Sequence, residues 1–210
     1  MIKVLLADDH VIFRRGLCQI IADTDTIEVV GEASSGTETV QLARTVPADV
    51  LVLDISLVDR NGLDVLKQLK RELPRLAVLM LSMHAEDQYA LRALRAGASG
   101  YLNKQTAPAQ LITAIERVAA GRKYISQAVA EQLAMDVQGA SERPAHETLS
   151  DREYETFMLI VSGMPPGQIA EKLCLSIKTV SVYRARLLEK LKVKNNVELT
   201  HYAMRHLLVD

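Results

Sequence analysis

The first 120 or so residues of the chain alternate five short apolar segments with five amphipathic ones. The apolar segments are rich in Val, Ile and Leu and are bounded by turn residues, as strands are: residues 2–8, 27–33, 48–54, 76–82 and 99–103. The segments between them place apolar residues three and four positions apart, which is typical of amphipathic helices. Five strand–helix units of this kind predict an α/β fold, with a parallel sheet covered by helices on both faces.

The periodicity disappears over residues 136–148, which collect Gly, Ser, Pro and charged residues and are interpreted as a linker. Beyond them four short amphipathic segments predict a small all-α domain. Its first helix is signalled by Ser150 followed three residues later by Glu153, a capping-box pattern. We therefore expect an α/β domain over residues 1–122, a helical extension and linker over 123–147, and a four-helix domain over 148–210.

The composition excludes several classes of protein. No apolar run approaches the ~18 residues that a membrane helix needs, and the N-terminus lacks a signal-peptide pattern. A cytoplasmic protein with no membrane partner is expected. Cys18 and Cys174 are placed on apolar helical faces by this pattern, so buried thiols are expected rather than a disulfide or a metal site.

Positive charge is concentrated in one short segment. Residues 172–194 contain seven Lys or Arg residues and one acidic residue, although the whole chain has a formal net charge of −1. A basic stripe confined to one segment indicates a polyanionic partner for that segment alone.

Three carboxylates follow two of the predicted strands. A doubly wound, flavodoxin-like sheet with the strand order 2-1-3-4-5 has strands 1 and 3 as neighbours, and ligands bind at their C-terminal ends. Asp8 and Asp9 end strand 1, and Asp54 ends strand 3. Two unit charges ~4 Å apart repel by about 4 kcal/mol at an effective dielectric constant of ~20, so a cation is needed, and an oxygen-only site suits Mg²⁺.

Two further polar residues end neighbouring strands: Ser82 ends strand 4 and Lys104 follows strand 5. A hydroxyl and an ammonium group at this edge could both bind an anion gathered by the metal. Together these groups predict a site for phosphoryl transfer onto Asp54. The alternative is that these aspartates are solvated loop residues. That alternative would explain a single aspartate at a strand end, but it explains the convergence of several polar residues less well.

The motifs "LLADDH", "VLVLDISLVDRNGLD", "VLMLSMH" and "GASGYLNK" resemble the receiver domain of bacterial two-component response regulators, over roughly residues 1–120. The resemblance implies that Asp54 accepts a phosphoryl group from a sensor histidine kinase. It also implies that Mg²⁺ is held by Asp8, Asp9, Asp54 and the backbone carbonyl of Ser56.

The same resemblance assigns Ser82 and Lys104 to contacts with the phosphoryl group and makes Tyr101 the switch aromatic residue; a half-buried core tyrosine is the alternative. The chain departs from the common pattern at Val58 and Gln105, where receivers often have proline. Val58 makes the lifetime of the phosphoryl group an open question.

Two other acids in this region have ordinary explanations. Asp59 is interpreted as a turn residue, and Asp64 as an acid that stabilises the N-terminal end of a helix dipole.

In the C-terminal domain, residues 169–191 contain a scaffold helix, a turn at residues 175–176 and a second, basic helix, which is helix-turn-helix organisation. An apolar face is predicted for Ile177, Val180, Leu187, Leu188 and Leu191. The outward residues are predicted to be Lys178, Ser181, Tyr183, Arg184, Ala185 and Arg186. A solvated charged surface is the alternative, but the one-sided charge and the preceding turn favour double-stranded DNA.

The segment 148–208 resembles the LuxR-type helix-turn-helix domain of the NarL/FixJ subfamily, with "LSDRE" and "IAEKLCLSIKTVSVYRARLLEKLKVKNNVEL" following its pattern. The resemblance implies base-facing positions at Ser181, Val182 and Ala185, and dimer contacts from Val197 onward. It implies phosphate contacts at Lys178, Thr179, Arg184 and Lys190. Pro165 and Pro166 depart from the pattern but suit a helix start.

These features predict a DNA-binding transcriptional response regulator that is controlled by phosphorylation of Asp54, is not an enzyme, and forms a homodimer when phosphorylated or bound to DNA. Two alternatives remain. One is a phosphatase with an aspartyl nucleophile, although Ser56 stands where such enzymes usually carry a second aspartate. The other is a DNA-binding dimer that is indifferent to phosphorylation.

Overall fold

The computed structural model describes the chain except for residues 84–85, 106–107, 128, 132, 134–143, 207 and 210. The chain divides into two units, Met1–Gln138 and Gly139–Asp210. The finer division that places a helical extension and linker at 123–147 stays a prediction. Most of the linker interpreted at 136–148 lies outside the described residues, but its last part, Ala145–Thr148, forms a 3-10 helix.

The first unit is built on a five-stranded parallel sheet. Its strands are β1 (Ile2–Ala7), β2 (Ile27–Ala33), β3 (Val50–Asp54), β4 (Ala77–Ser82) and β5 (Gly100–Asn103). The strand order is β2-β1-β3-β4-β5, and all neighbours pair in parallel. The sequence prediction of both the strands and their order is confirmed.

Five helices alternate with these strands: α1 (Val11–Ala22), α2 (Gly36–Thr45), α3 (Gly62–Glu72), α4 (Glu86–Arg95) and α5 (Pro108–Ala119). Alternate residues of a strand point to the same face of the sheet. Val4 and Leu6 of β1, with Val52 of β3, accordingly join one apolar cluster with Ile21 of α1 and Ile115 of α5. The central strands β3 and β4 are apolar up to their last residues, Asp54 and Ser82, because both faces of the sheet are covered there.

The second unit is helical. After the 3-10 helix come α6 (Asp151–Val161), α7 (Pro166–Lys172), α8 (Ile177–Lys190) and α9 (Asn196–Arg205). Ser150 and Glu153 form the predicted capping box at the start of α6. Pro166 occupies the first turn of α7 with Pro165 as its N-cap residue, so the prolines do start a helix.

Cys174 corrects one prediction. It is exposed, and it has a positive φ of 53° in the turn after α7. It does not lie on an apolar helical face because the left-handed backbone at this residue ends the helix. Cys18 is partly buried, and both cysteines are free thiols. Within the stretches that the structure describes, none of the helices is both long and apolar enough to cross a lipid bilayer.

Candidate functional site

Two buried aspartates lie side by side at the C-terminal edge of the sheet. The parallel pairing of β1 with β3 places Ala7 opposite Leu53, so the next residues, Asp8 and Asp54, are neighbours. Asp8 is 1% exposed and Asp54 is 2% exposed. The strand register therefore brings together two of the three carboxylates that the sequence predicted at this edge.

Lys104 bridges this pair of carboxylates. Its Nζ atom lies 2.6 Å from Asp8 Oδ2 and 2.7 Å from Asp54 Oδ2, and its side chain is 3% exposed. Its backbone amide donates a hydrogen bond to the Ser82 carbonyl at 2.8 Å, which fixes the end of β5 beside the end of β4. The ring of Phe13 lies 4.8 Å from the same ammonium group. One cation thus links carboxylates that are carried by two strands.

Burial governs the protonation of Asp54. Removal from water raises the pKa of the Asp54 carboxyl, the Lys104 ammonium opposes the rise, and the Asp8 carboxylate adds to it. The net result is a pKa above the ordinary value. The balance shows that the ionised form of Asp54 depends on nearby positive charge.

Asp9 and His10 complete the cluster. His10 Nδ1 lies 2.8 Å from Asp9 Oδ1 and 3.4 Å from Asp8 Oδ1, and the His10 amide donates a hydrogen bond to Asp8 Oδ1 at 2.8 Å. Ligand atoms of Asp8, Asp9, His10 and Asp54 all lie within 4.8 Å of one another. The sequence interpretation did not include His10, although its position directly after two acids was a signal for it.

The cluster fits a divalent metal ion. Asp8 Oδ2 lies 2.6 Å from Lys104 Nζ, and Asp9 Oδ1 lies 2.8 Å from His10 Nδ1. The one ammonium group does not balance the charge of three clustered carboxylates, so a further cation at this cluster would reduce their mutual repulsion. The donors are mainly carboxylate oxygens, which hard divalent cations prefer.

The other predicted site residues surround this cluster. Ser82 and Tyr101 are each 1% exposed, so Tyr101 is a fully buried side chain rather than a half-buried one. The Ser56 amide donates a hydrogen bond to the Asp54 carboxylate. The predicted roles of Ser82, Tyr101 and the Ser56 carbonyl toward a phosphoryl group or a metal stay predictions.

The loop between β3 and α3 is held at both ends. Ser56 and Asn61 form an isolated antiparallel bridge, and the Gly62 amide donates a hydrogen bond to the Ile55 carbonyl at 2.7 Å. Residue 62 must be glycine, because a Cβ atom there would collide with the Asp54 carbonyl. Val58 projects from this closed loop and is 50% exposed.

Asp59 does more than form a turn. Its carboxylate accepts hydrogen bonds from the Gly36 amide (2.6 Å), the Thr37 amide (3.0 Å) and the Thr37 hydroxyl (2.6 Å). Burial opposes ionisation of Asp59, but the hydrogen bonds from Thr37 and Gly36 outweigh it and lower its pKa. Asp59 therefore caps α2 from the neighbouring loop. Asp64 lies in the first turn of α3, as predicted.

A helix-turn-helix occupies α7, α8 and residues 173–176 between them. The Ser176 side chain caps α8 by accepting a hydrogen bond from the Thr179 amide at 3.0 Å. Val180, Leu187 and Leu191 are buried, as predicted, whereas Leu188 is half-buried. Ile177 is 58% exposed, so its assignment to the apolar face is wrong. It is the first residue of α8, and helical side chains point back toward the N-terminus, which here lies beyond the packed face.

The candidate DNA contacts on α8 separate into two groups. The first group is exposed: Lys178, Ser181, Val182, Ala185, Arg186 and Lys190. In the second group, Thr179 and Arg184 are partly buried, and so is Tyr183, which was predicted to face outward. Arg184 Nε donates a hydrogen bond to Asn196 Oδ1 at 2.7 Å, and Lys190 Nζ donates one to Glu153 Oε2 at 2.7 Å.

Glu153 connects the capping box to α8. Burial opposes its ionisation, but the hydrogen bonds from Lys190 and from the Ser150 backbone and side chain outweigh it and lower the pKa of Glu153. Lys190, which was predicted to contact a DNA phosphate, thus has an ionic partner inside its own domain.

Comparison with known proteins identifies the two units. The family model "Response regulator receiver domain" matches residues 4–116, and the model "Bacterial regulatory proteins, luxR family" matches residues 147–203. The chain is 39% identical to the response regulator GacA of Pseudomonas syringae over 211 residues, which cover 100% of this chain and 99% of GacA. The chain belongs to the LuxR-type response regulators.

Further relatives span the whole response regulator. UvrY of Escherichia coli is 38% identical over 207 residues, 98% of this chain and 95% of that protein. A structure of RcsB from Salmonella enterica, bound to the rprA promoter in the presence of the phosphomimetic BeF₃⁻, has a TM-score of 0.65 at 28% identity and covers 96% of this chain and 97% of RcsB. The predicted fold and the predicted class, a DNA-binding transcriptional response regulator controlled by phosphorylation, are confirmed.

Proposed function

We propose that Asp54 accepts the phosphoryl group of a sensor kinase's phosphohistidine, and that the phosphorylated chain forms a homodimer that binds double-stranded DNA through α8. The observation that carries the proposal is the contact of one buried ammonium group, Lys104 Nζ, with both Asp54 Oδ2 and Asp8 Oδ2. A buried carboxylate beside a movable cation is suited to receive a group that brings further negative charge.

In the proposed reaction an Asp54 carboxylate oxygen forms a bond to phosphorus while the bond between phosphorus and the kinase imidazole nitrogen breaks. The imidazole keeps the electron pair and leaves. The chain gains an acyl phosphate on Asp54, which carries roughly 1.5 to 2 negative charges in place of the single charge of the carboxylate. Lys104 then exchanges Asp54 Oδ2 for a phosphoryl oxygen, and the Ser82 hydroxyl donates to another.

Asp8, Asp9 and Asp54, with the Ser56 carbonyl, are the residues that would hold Mg²⁺. The bound ion would supply positive charge to the phosphoryl oxygens as charge develops on them. Lys104 alone leaves this cluster of three carboxylates with excess negative charge, so an incoming phosphoryl group would otherwise meet repulsion.

The buried residues around Asp54 are the proposed source of the switch. Ser82 and Tyr101 lie on the adjacent strands β4 and β5, where Ser82 pairs with Asn103 and Tyr101 pairs with Met80. A phosphoryl group that draws Ser82 and Lys104 inward would change the packing around Tyr101. Inverting a 1:99 equilibrium requires about 5.5 kcal/mol of preference for the active state, which several charge-assisted bonds together can provide.

The DNA-binding part of the proposal is supported by exposure on α8. Lys178 and Arg186 offer charge for phosphates, and the small exposed side chains of Ser181, Val182 and Ala185 allow close approach to base edges. RcsB has been observed on promoter DNA, and as two dimers bound to two DNAs. By analogy we assign dimer contacts to α9, where Val197 is 64% exposed. Because DNA is its partner, we place the chain in the bacterial cytoplasm.

The experiment that tests the phosphoacceptor is labelling with radioactive acetyl phosphate and Mg²⁺. Wild type is expected to incorporate label, Asp54→Ala to incorporate none, and the control Asp64→Asn to behave as wild type, because Asp64 lies outside the cluster. Label retained in Asp54→Ala would contradict the assignment.

A second measurement separates the proposal from its alternatives. We expect phosphoryl donor to strengthen DNA binding in a gel-shift titration at one stated salt concentration. Binding that is indifferent to the donor would favour the phosphorylation-independent dimer. Steady turnover of a phosphate ester would favour the phosphatase over our proposal that the chain is not an enzyme.

A further inference from the structure

We propose that the His10 imidazole is itself a ligand of the metal at this site, so that the site prefers first-row transition ions such as Mn²⁺ to Mg²⁺. The inference rests on the proposed function in one respect, namely that a divalent ion binds at Asp8 and Asp9. It goes beyond that function by assigning a nitrogen ligand and a metal preference to this chain.

The spacing of the donor atoms carries the inference. His10 Nδ1 lies 2.8 Å from Asp9 Oδ1 and 3.4 Å from Asp8 Oδ1. Adjacent ligands of an ion with bonds of about 2.1 Å lie about 3.0 Å apart in octahedral geometry and about 3.4 Å apart in tetrahedral geometry. The 3.4 Å pair already has such a separation, and the 2.8 Å pair needs to widen by only about 0.2 Å to reach it.

The two oxygens of Asp8 face different partners. Asp8 Oδ2 lies 2.6 Å from the Lys104 ammonium, whereas Asp8 Oδ1 faces His10. Asp8 can therefore pair with Lys104 through one oxygen and bind a metal through the other. The His10 side chain is 65% exposed, so an ion arriving from solvent can reach it and its ring can adjust without disturbing the core.

The chemistry of the ligand atoms determines which metal ion the site prefers. Carboxylate and water oxygens suit Mg²⁺, whereas an imidazole nitrogen suits Mn²⁺, Co²⁺ and Zn²⁺ increasingly well. His10 in its neutral form, with the proton on Nε2, offers the Nδ1 lone pair to the metal. The nitrogen therefore adds binding free energy for transition ions and little for Mg²⁺.

A structural role for His10 makes a different prediction. If His10 only donated a hydrogen bond to Asp9, it would orient that carboxylate for every ion alike. Removing His10 would then weaken Mg²⁺ and Mn²⁺ binding by the same factor. The ratio of the two affinities separates a ligand from a positioning residue.

The test uses the full chain without phosphoryl donor and measures Mg²⁺ and Mn²⁺ dissociation constants by calorimetry. For His10→Ala we expect the Mn²⁺ dissociation constant to rise about tenfold or more, with the Mg²⁺ constant changed less than about twofold. The control is His201→Ala, an exposed histidine on α9 of the other unit, which should change neither constant.

Pulsed EPR of the wild-type Mn²⁺ complex gives a readout that needs no variant. We expect a ¹⁴N coupling from the imidazole, and its loss in His10→Ala. An absent coupling, an equal weakening of both metals, or a failure of Mn²⁺ to bind would each overturn the inference. Phosphoryl labelling of Asp54 in the presence of Mg²⁺ is measured separately. Intact labelling without a nitrogen coupling would refute only the role of His10. A nitrogen coupling without labelling would refute only the assignment of Asp54 as the phosphoacceptor.

Discussion

Lys104 Nζ lies 2.7 Å from Asp54 Oδ2, and both side chains are at least 97% buried. Removing one member of a buried ion pair leaves the other uncompensated, and here Lys104 also serves Asp8. We expect Lys104→Ala to lower the free energy of unfolding by about 3 kcal/mol in metal-free buffer, measured by urea denaturation.

Adding Asp54→Asn to Lys104→Ala should restore part of that loss, because it removes one of the two like charges. The exposed Lys3→Ala is the matched control and should change little. An unchanged urea midpoint in Lys104→Ala would show that water or protonation stabilises the two buried aspartates in place of the lysine.

Chelation should leave the fold intact. Lys104 pairs with both buried acids in the absence of metal, unlike a structural metal site whose ligands have no internal cation. We expect EDTA to abolish phosphoryl labelling while shifting the melting temperature by less than about 2 °C, which corresponds to about 0.5 to 1 kcal/mol for a chain of this length. Cooperative unfolding on addition of EDTA would contradict this account.

Glu153→Gln should destabilise the helical unit by about 1 kcal/mol at neutral pH, because the amide can still close the capping box but loses the charge that pairs with Lys190. The pKa of Glu153 is lowered in the folded state, so its contribution is present above its ordinary value of 4.5 and is lost as the pH falls below it.

The difference in melting temperature between wild type and Glu153→Gln should therefore be large at pH 7 and shrink on acidification below pH 4.5. Glu189→Gln, an exposed change on α8, serves as the control. A difference that stays constant with pH would indicate that packing, not charge, explains the effect.

Asp59→Ala should cost about 1 kcal/mol of stability, because three donors at the start of α2 lose their acceptor. Hydrogen exchange of the Gly36 and Thr37 amides should accelerate in the variant. Exchange rates equal to wild type would show that water fully replaces the carboxylate as acceptor.

Lys178→Ala should change the salt dependence of DNA binding, whereas Lys190→Ala should change the stability of the helical unit. Lys178 is exposed, so its loss should reduce the slope of log K against log salt by about 1 for each phosphate contact removed, with stability unchanged. Lys190 is bonded to Glu153, so its loss should lower stability and leave the salt slope nearly as in wild type. A larger slope change in Lys190→Ala than in Lys178→Ala would restore Lys190 as a phosphate contact.

Several features of the acidic cluster were accessible from sequence because they follow from strand order. Apolar runs ending in polar residues located β1, β3, β4 and β5, and parallel pairing requires their C-terminal ends to meet. The convergence of Asp8 with Asp54 needed no knowledge of the loops. The same holds for the capping box at Ser150, which is entirely local.

Features that depend on loops meeting in space were not accessible. Asp59 caps a helix that begins 23 residues earlier, and no local pattern specifies that contact. The position of His10 Nδ1 beside Asp9 depends on the turn into α1. Ile177 was misassigned because periodicity marks a face of the helix without showing where the packed partner ends.

The hydrogen bonds that hold α8 in place affect how this helix binds DNA. Arg184 is anchored to Asn196 of α9, Lys190 to Glu153 of α6, and Ser176 caps the first turn. The helix is therefore preorganised before DNA arrives, and the entropy of ordering it is lost during folding and not during binding. The DNA affinity should then depend on counterion release and on the fit between the two surfaces. The heat-capacity change on DNA binding should be smaller than that of a segment that folds as it binds.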